Sequence, residues 1–320
     1  MLQLKLLIPN FWRKKTIISI LLKPFSYLYS LICVWRAKID PQNIYQPKAK
    51  VITIGNITMG GAGKTPVSLS IAKILQNYSK HKIVILTRGY RGSLSGPLMV
   101  ESTHQIEDIG DEALLIAKQF STCVAKNRIE GIKFLESLGY DIIITDDGLQ
   151  DERFIKALTI LVVDSYFGFG NGLIFPAGPL REDINTGINK ANLIVIIGEG
   201  DFSLPKELPI LKAKLVGKIL LSQQKLVAFA GIGNPEKFFH SVVESEGEMV
   251  EKLVFGDHHQ YSDKELARLV DLAKKHQAEL ITTEKDYTRV SEEFKPHIRT
   301  LPVTLIWEDE ELLLKRLLSL

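Results

Sequence analysis

This sequence of 320 residues lacks several features that define other classes of protein. It has only two cysteines, Cys33 and Cys123, and neither belongs to a Cys-x-x-Cys pair. A disulfide framework is therefore excluded, and a reducing compartment is indicated. No uninterrupted apolar stretch reaches the ~18 residues expected of a membrane-spanning helix. Internal repeats and low-complexity segments are absent from the sequence as well.

Acidic residues are missing from the first 39 positions, which contain seven basic residues. The whole chain carries a net charge of +3, so the remainder of the sequence carries −4. General nucleic-acid binding requires a basic body, and this body is slightly acidic. We therefore expect no nucleic-acid partner.

The basic N-terminal segment is also apolar. Its two apolar stretches, 17–22 and 25–35, are separated by Lys23-Pro24, where the proline breaks or kinks a helix. We predict that residues 1–40 form an amphipathic helical segment that associates with an anionic membrane surface. Two alternatives remain open: helices packed on the body, and a cleaved or spanning segment, although no small-x-small cleavage site follows.

Residues 51–66, VITIGNITMGGAGKTP, predict a strand, a glycine-rich turn and the start of a helix. Glycines let several backbone N–H groups point inward, and the helix N-terminus favours negative charge. Lys64 would reach the β- and γ-phosphates of a nucleotide, and the Thr65 hydroxyl would bind Mg²⁺. The predicted nucleotide-binding residues are Thr58, Met59, Gly60, Gly61, Ala62, Gly63, Lys64 and Thr65.

Residues typical of some related nucleotide sites are missing. Thr58 stands where the P-loop pattern has its first glycine, and Met59 stands where one group of P-loop ATPases and GTPases has a signature lysine. The segment 283–287, TEKDY, places its lysine one position too late for the guanine-reading N/T-K-x-D pattern. ATP is therefore the expected nucleotide.

Strands and helices are predicted to alternate from residue 51 onward, which implies βαβ crossovers and a parallel sheet. The predicted strands are 51–55, 82–87, 122–125, 141–145, 158–163 and 192–197, and the predicted helices 66–78, 111–120 and 129–138. Period-two alternation at 211–221 suggests a short strand pair or a linker. We therefore predict a P-loop kinase domain (41–210), a linker (211–225) and a smaller α/β domain (226–320).

Polar side chains follow several predicted strands, at the edge where parallel sheets bind ligands. Asp146 and Asp147 have a Walker B arrangement, in which a cation between adjacent carboxylates relieves their repulsion. The loop TRGYRG (87–92) suits an anion or sugar, with a solvated turn as the alternative. The loop 164–183 is long enough to be functional, and its Arg181 is a candidate phosphate contact.

Two further positions are ambiguous from the residue pattern alone. Asp111 opens a predicted helix, and periodicity favours a simple helix cap there. Within Asp257-His258-His259, adjacent histidines rarely bind one metal ion. A catalytic or substrate-orienting histidine is therefore favoured, and a solvated loop remains the alternative.

Together these motifs resemble the tetraacyldisaccharide 4′-kinases of lipid A biosynthesis. The segments that carry the resemblance are GNITMGGAGKTP, TRGYRG, GDEALLIAK, TDDGLQ, FPAGPLRE, FGDHHQYS and TTEKDYTRV. The resemblance implies transfer of the ATP γ-phosphate, with Mg²⁺, to the 4′-hydroxyl of a tetraacylated glucosamine disaccharide 1-phosphate, giving lipid IVA. It implies two α/β/α domains joined by a two-stranded β linker, and Thr58 is typical of the family's loop.

The same resemblance implies roles for individual residues. Asp111 becomes the base for the 4′-hydroxyl, replacing the cap interpretation, with help from His259 or, failing that, His258. Lys64 and Asp147 are also expected to be catalytic, and Thr65, Asp146 and Asp147 to hold Mg²⁺. The expected substrate contacts are Tyr90, Arg128, Gln150, Arg181 and His258.

The expected protein is a monomer at the cytoplasmic face of the bacterial inner membrane, with the acylated disaccharide lipid as its partner. Two rival functions are a P-loop ATPase or GTPase that is not a kinase and a membrane-associated scaffold that binds nucleotide without turnover.

Overall fold

In a computed structural model, residues 9–36, 44–200 and 208–320 are described. They form two compact units, one of residues 9–214 with 307–320 and one of residues 215–306. The other parts of the predicted N-terminal segment, residues 1–8 and 37–40, lie outside the described residues. Among the helices that are described, none is long and apolar enough to span a membrane.

The larger unit contains a mainly parallel sheet flanked by helices. Its strands β1 to β7 are Lys50–Gly55, Ile83–Thr87, Leu98–Met99, Thr122–Val124, Ile142–Asp146, Leu158–Asp164 and Leu193–Ile197, and β8 (Ile210–Gly217) begins in this unit and ends in the smaller one. Its helices α1 to α7 are Ile17–Leu21, Lys23–Arg36, Lys64–Tyr78, Ile106–Ile109, Asp111–Ala117, Arg128–Ser137 and Ile184–Asn189. Each strand and helix predicted for residues 51–197 is present, with ends shifted by up to three residues.

The central strands of this sheet are buried and mainly apolar, as expected for parallel strands covered on both faces. Every residue of β5 and β6 is buried, and both strands pair with β1. The register places Asp146 beside Ile54, so the end of β5 lies next to the beginning of the glycine-rich loop. The topology thus brings the predicted Walker B residues to the predicted phosphate site.

The smaller unit contains a second parallel sheet in the order β10-β9-β11-β12. Strands β9 to β12 are Lys225–Ala230, Glu248–Val254, Glu279–Thr283 and Ile298–Leu301, and helices α8 to α10 are Pro235–Glu244, Asp263–His276 and Glu284–Tyr287. Ser262 and Glu265 form a capping box at the start of α9.

The C-terminal residues differ from the predicted division of the chain. Strand β13 (Val303–Trp307) continues into α11 (Glu310–Leu318), and residues 307–320 belong to the larger unit. The Trp307 indole N–H donates to the Ser70 hydroxyl of α3 at 2.9 Å. Strand β13 is also the neighbour of β8 in a nine-stranded sheet, in the order β13-β8-β7-β6-β1-β5-β2-β4-β3. The alternating residues 211–221 therefore contribute one strand, β8, and their role as a linker stays a proposal.

Candidate active site

The glycine-rich loop connects β1 to α3 through backbone conformations that favour glycine. Gly60 and Gly63 have φ values of 104° and 89°, and Gly63 occupies the N-cap of α3. The helix therefore begins at Lys64, two residues earlier than its predicted start. The Lys64 ammonium donates to the Asn56 side-chain oxygen at 3.0 Å. The loop thus sets a helix N-terminus and a lysine side by side, as phosphate binding requires.

A second loop braces this first loop through backbone hydrogen bonds. The Met59 N–H donates to the Pro179 carbonyl, and the Arg181 N–H donates to the Ile57 carbonyl, both at 2.7 Å. These bonds place the predicted phosphate contact Arg181 directly beside the nucleotide loop. The tertiary structure thus joins two motifs that lie more than a hundred residues apart in sequence.

Asp146 is a buried carboxylate held by two hydroxyl groups. Thr65 Oγ1 and Ser68 Oγ each donate to one of its oxygens, both at 3.1 Å, and the residue is 4% exposed. Burial, reinforced by the nearby Glu112 carboxylate, raises the pKa of Asp146 to about 6. A buried carboxylate of this kind attracts a cation, because a cation replaces the lost hydration.

Asp147 has a different environment from its neighbour. Burial opposes its ionisation, but Lys64 and Arg181 outweigh that effect and lower the pKa of Asp147 to about 2. Arg181 Nη1 donates to both carboxylate oxygens at 3.0 and 3.1 Å, and the Lys64 ammonium lies 3.5 Å away. Protein cations therefore already relieve the repulsion between the two carboxylates, which the sequence had suggested a metal ion would do.

The oxygen donors at this position fit Mg²⁺. Thr65 and Asp146 offer a hydroxyl and a carboxylate in contact, the hard oxygen ligands that Mg²⁺ prefers. In the described part of the chain no group of three or more His, Cys, Asp or Glu side chains could hold a metal by itself. Such a pair suits an ion that also binds nucleotide phosphates rather than an all-protein metal site.

Asp111 is the first residue of α5 and is only 3% exposed. The cap interpretation is wrong, because Gly110 occupies the N-cap with φ 84°. A Cβ at Gly110 would lie 2.1 Å from the Tyr90 carbonyl oxygen, so glycine permits a close approach of the two loops. Asp111 Oδ1 accepts from the Glu112 N–H at 2.9 Å, which holds the carboxylate at the helix start. Tyr90 is 58% exposed, so a ligand could reach it.

Two predicted substrate contacts serve the protein backbone in this structure. Arg128 is 5% exposed, and its guanidinium donates to the Asp147 carbonyl oxygen. The Gln150 amide donates to the Asn56 carbonyl and to Glu182, both at 2.9 Å. Both side chains position the loop that follows β5, and direct contact with substrate stays a prediction for each.

His258 and His259 lie in the smaller unit after β10. His258 is buried with φ 56°, and its Nε2 lies 3.3 Å from the Lys285 ammonium. His259 Nε2 contacts Glu265 Oε1 at 3.2 Å, and its ring lies 4.9 Å from that of Phe255. The contact between His259 and Glu265 links this histidine to the capping box of α9.

Helix α2 and Trp12, which precedes α1, dock on the loop that carries Arg181. The Ser26 hydroxyl donates to the Ile174 carbonyl at 2.7 Å, and the Trp12 indole donates to the Pro176 carbonyl at 3.1 Å. Trp12 and Tyr29 pack against the Phe175 ring of this loop. The outer face of the helices is exposed and apolar, formed by Ile17, Ile18, Ile20, Leu21, Phe25, Tyr27, Leu28, Leu31 and Ile32.

Sequence reasoning missed several residues of the site. Asn56 receives the Lys64 ammonium, Ser68 holds Asp146, and Glu182 receives the Gln150 amide. A signal existed for Ser68, because four residues separate it from Lys64 and so place it on the same face of α3. Asn56 and Glu182 lie within the quoted motifs, but no local pattern indicated their contacts; Glu182 and its partner Gln150 are 32 residues apart in sequence.

Comparisons with known proteins show which family this chain resembles over most of its length. A family model described as Tetraacyldisaccharide-1-P 4′-kinase matches residues 18–320. A protein named tetraacyldisaccharide 4′-kinase from Paramagnetospirillum magneticum is 37% identical over 316 residues, covering 95% of this chain and 96% of that protein. A protein of the same name from Hyphomonas neptunium is 38% identical over 296 residues, which cover 91% of this chain and 88% of that protein.

Among solved structures, the chain is similar to LpxK from Aquifex aeolicus, described as an "apo" form in complex with ATP. The TM-score is 0.75 at 26% identity, with 95% of this chain and 99% of that chain covered. This likeness confirms the predicted α/β fold class. It also shows that a protein of the same fold binds ATP.

Proposed function

The chain belongs to the tetraacyldisaccharide-1-P 4′-kinase family, and from this premise we propose that its larger unit transfers the γ-phosphate of ATP to a sugar hydroxyl. The acceptor is the 4′-hydroxyl of tetraacyldisaccharide 1-phosphate, and the product is lipid IVA of lipid A biosynthesis. The observation that carries the proposal is the convergence of Lys64, Asp146 and Arg181 at the carboxyl edge of one parallel sheet.

Phosphoryl transfer depends mainly on positioning and on cations around the phosphate. We propose that the loop 58–65 binds the phosphates of ATP, with Lys64 and Arg181 neutralising the charge that spreads over the transferred group. Thr65 and Asp146 are the residues that would hold Mg²⁺, which supplies further positive charge when bound. Asp147 orients Lys64 and Arg181 through its ion pairs, and its own contact with Mg²⁺ stays a prediction.

Asp111 is proposed as the base that accepts the proton of the 4′-hydroxyl. Its buried carboxylate is fixed at the start of α5 by the Glu112 N–H, which restricts its direction. An ordinary carboxylate suffices as base, because a loose transition state places little demand on early proton removal. Tyr90 is proposed to contact the acceptor, and His259, or alternatively His258, to assist Asp111.

The exposed apolar face of α1 and α2 supports a membrane-associated enzyme. Its nine large apolar residues lie next to the basic residues Arg13, Lys14, Lys15 and Lys23, a pattern typical of helices that lie in a membrane interface. Since α2 packs on the loop that precedes Arg181, this face would bring an acylated lipid close to the phosphates. We place the protein, as a monomer, on the cytoplasmic face of the bacterial inner membrane, where ATP is available.

Replacing Ile17, Leu21 and Leu31 together by glutamate should weaken binding to anionic liposomes about a hundredfold, because each exposed side chain loses its favourable transfer from water. Their exposures of 77%, 69% and 67% indicate that folding does not depend on them. Sedimentation with liposomes measures the effect. The matched control replaces the exposed residues Leu138, Leu220 and Leu318 by glutamate. Equal partition of the two triple variants would contradict interfacial binding by α1 and α2.

The function itself is tested by transfer of label from γ-³²P-ATP to tetraacyldisaccharide 1-phosphate in detergent with Mg²⁺. We expect labelled lipid whose formation depends on both the acceptor and the protein. Release of labelled phosphate without labelled lipid would instead support a P-loop ATPase. Binding of ATP with neither product would support a scaffold.

A further inference from the structure

Two cationic side chains, Arg128 and Lys156, donate hydrogen bonds to the backbone of the turn at the end of β5. Its four successive carbonyl oxygens, from Asp146 to Leu149, all face a basic side chain. The Arg128 guanidinium donates to the carbonyl oxygen of Asp147 and lies 3.5 Å from that of Asp146. The Lys156 ammonium donates to the carbonyl oxygens of Gly148 and Leu149 at 3.2 and 3.0 Å. No family motif quoted above includes Lys156.

One residue of this turn has a left-handed backbone conformation, which is uncommon for residues other than glycine although aspartate adopts it more readily than most. It is Asp147, with φ 58°, and surrounding contacts must maintain this conformation. The same residue aligns Lys64 and Arg181 through its carboxylate. A small rotation of the turn would therefore displace both cations that face the phosphate.

We propose that Lys156 is a positioning residue for phosphoryl transfer, which fixes the turn of Asp146 to Leu149 and thereby the Asp147 ion pairs with Lys64 and Arg181. This inference rests on the proposed function of that site. The Lys156 ammonium makes charge-assisted hydrogen bonds to the Gly148 and Leu149 carbonyl oxygens, and such bonds are stronger than bonds between neutral groups. The Asp151 carboxylate, which Arg153 holds by two hydrogen bonds of 2.8 Å, lies 3.6 Å from Arg128 Nη1 and also favours the charge of Lys156.

The environment of Lys156 makes its charge sensitive to pH. The ammonium is partly buried, with Asp151 and Glu152 favouring its charge and Lys190 and Arg128 opposing it. Burial is the largest of these influences, and the pKa of Lys156 falls to about 8. The turn should therefore lose its charged hydrogen-bond donor as the pH rises above about 8.

Lys156→Met tests the proposal, because methionine keeps an unbranched apolar side chain of similar volume and removes the donor. We expect kcat to fall about tenfold to a hundredfold with little change in the KM for ATP, as for other small misplacements of catalytic groups. Lys156→Arg should restore most of kcat. It should also move the alkaline decline of kcat to higher pH, since guanidinium keeps its proton. Thermal unfolding of each variant checks that the chain is folded.

Lys82, the residue that precedes β2, provides a matched control away from the turn that Lys156 contacts. It also donates to a backbone carbonyl, that of Leu138 at 2.8 Å, and it lies over the Tyr140 ring as Lys156 lies over Phe154. Lys82→Met should leave kcat unchanged. A wild-type kcat in Lys156→Met, an equal loss in Lys82→Met, or no recovery in Lys156→Arg would each overturn the proposal. Absence of labelled lipid even with the wild-type protein would refute the proposed function itself.

Discussion

Replacing Lys64 by alanine should reduce the rate of phosphate transfer about a thousandfold, because the γ-phosphate loses its nearest protein cation in a partly buried site. The side chain is 13% exposed and lies between Asn56 and Asp147, so it is held at the mouth of the loop. The protein should stay folded, because Asp147 keeps its ion pair with Arg181. Single-turnover transfer of label from ATP to the lipid measures the chemical step.

Lys73 is the matched control for this variant. It lies on the same helix α3, is exposed, and donates to Gln119 at 3.0 Å away from the nucleotide loop. Lys73→Ala should transfer label at the wild-type rate. A Lys64→Ala variant with at least a tenth of the wild-type rate would contradict the proposed phosphate contact, since removal of one such donor is expected to cost about a hundredfold or more.

The second large effect is expected from Asp111→Asn. Asparagine preserves the shape of the side chain and can still accept the Glu112 N–H, but it cannot accept the proton of the acceptor. We expect kcat to fall about a hundredfold to ten-thousandfold, the usual range for loss of a general base, with ATP affinity unchanged. Initial rates and equilibrium binding of a fluorescent ATP analogue measure the two quantities separately.

Asp108 tests whether a nearby aspartate has the same effect. Its carboxylate caps α4 by accepting the Gln105 N–H at 2.9 Å, three residues before Asp111. Asp108→Asn should lower thermal stability slightly and leave kcat unchanged. If Asp111→Asn retained the wild-type kcat, Asp111 would be a structural residue and another base would have to be sought.

Periodicity and turn chemistry predicted the elements of the fold accurately where they decide structure by themselves. Apolar runs such as Ile142–Thr145 are strands because only a covered parallel sheet buries every residue. The Ser-x-x-Glu spacing of Ser262 and Glu265 likewise starts α9 through a capping box formed within four residues. The helix over residues 66–78 was predicted two residues short, because Gly63 and not Pro66 determines its start. These signals act within a few residues and therefore survive without tertiary context.

The same local reasoning was misleading at Asp111 and incomplete at Asp147. An aspartate before a helix usually caps it, but a glycine was needed at residue 110 for close approach to Tyr90, and this moved Asp111 into the helix. Repulsion between Asp146 and Asp147 suggested a bridging metal. In the structure the partners of Asp147 are Lys64 and Arg181, at 83 and 34 residues from it in sequence, which no local pattern can predict.

The sequence by itself determined that this chain has a glycine-rich loop before a helix, a buried strand that ends in two aspartates and a parallel sheet, because glycine conformations and apolar periodicity act locally. Only the tertiary structure decided which groups surround the carboxylates. It buried Asp146 against two hydroxyls, paired Asp147 with two cations, and placed Arg128 and Lys156 behind their turn. These properties depend on desolvation and on long-range packing, which exist only once the β-sheet has assembled around the site.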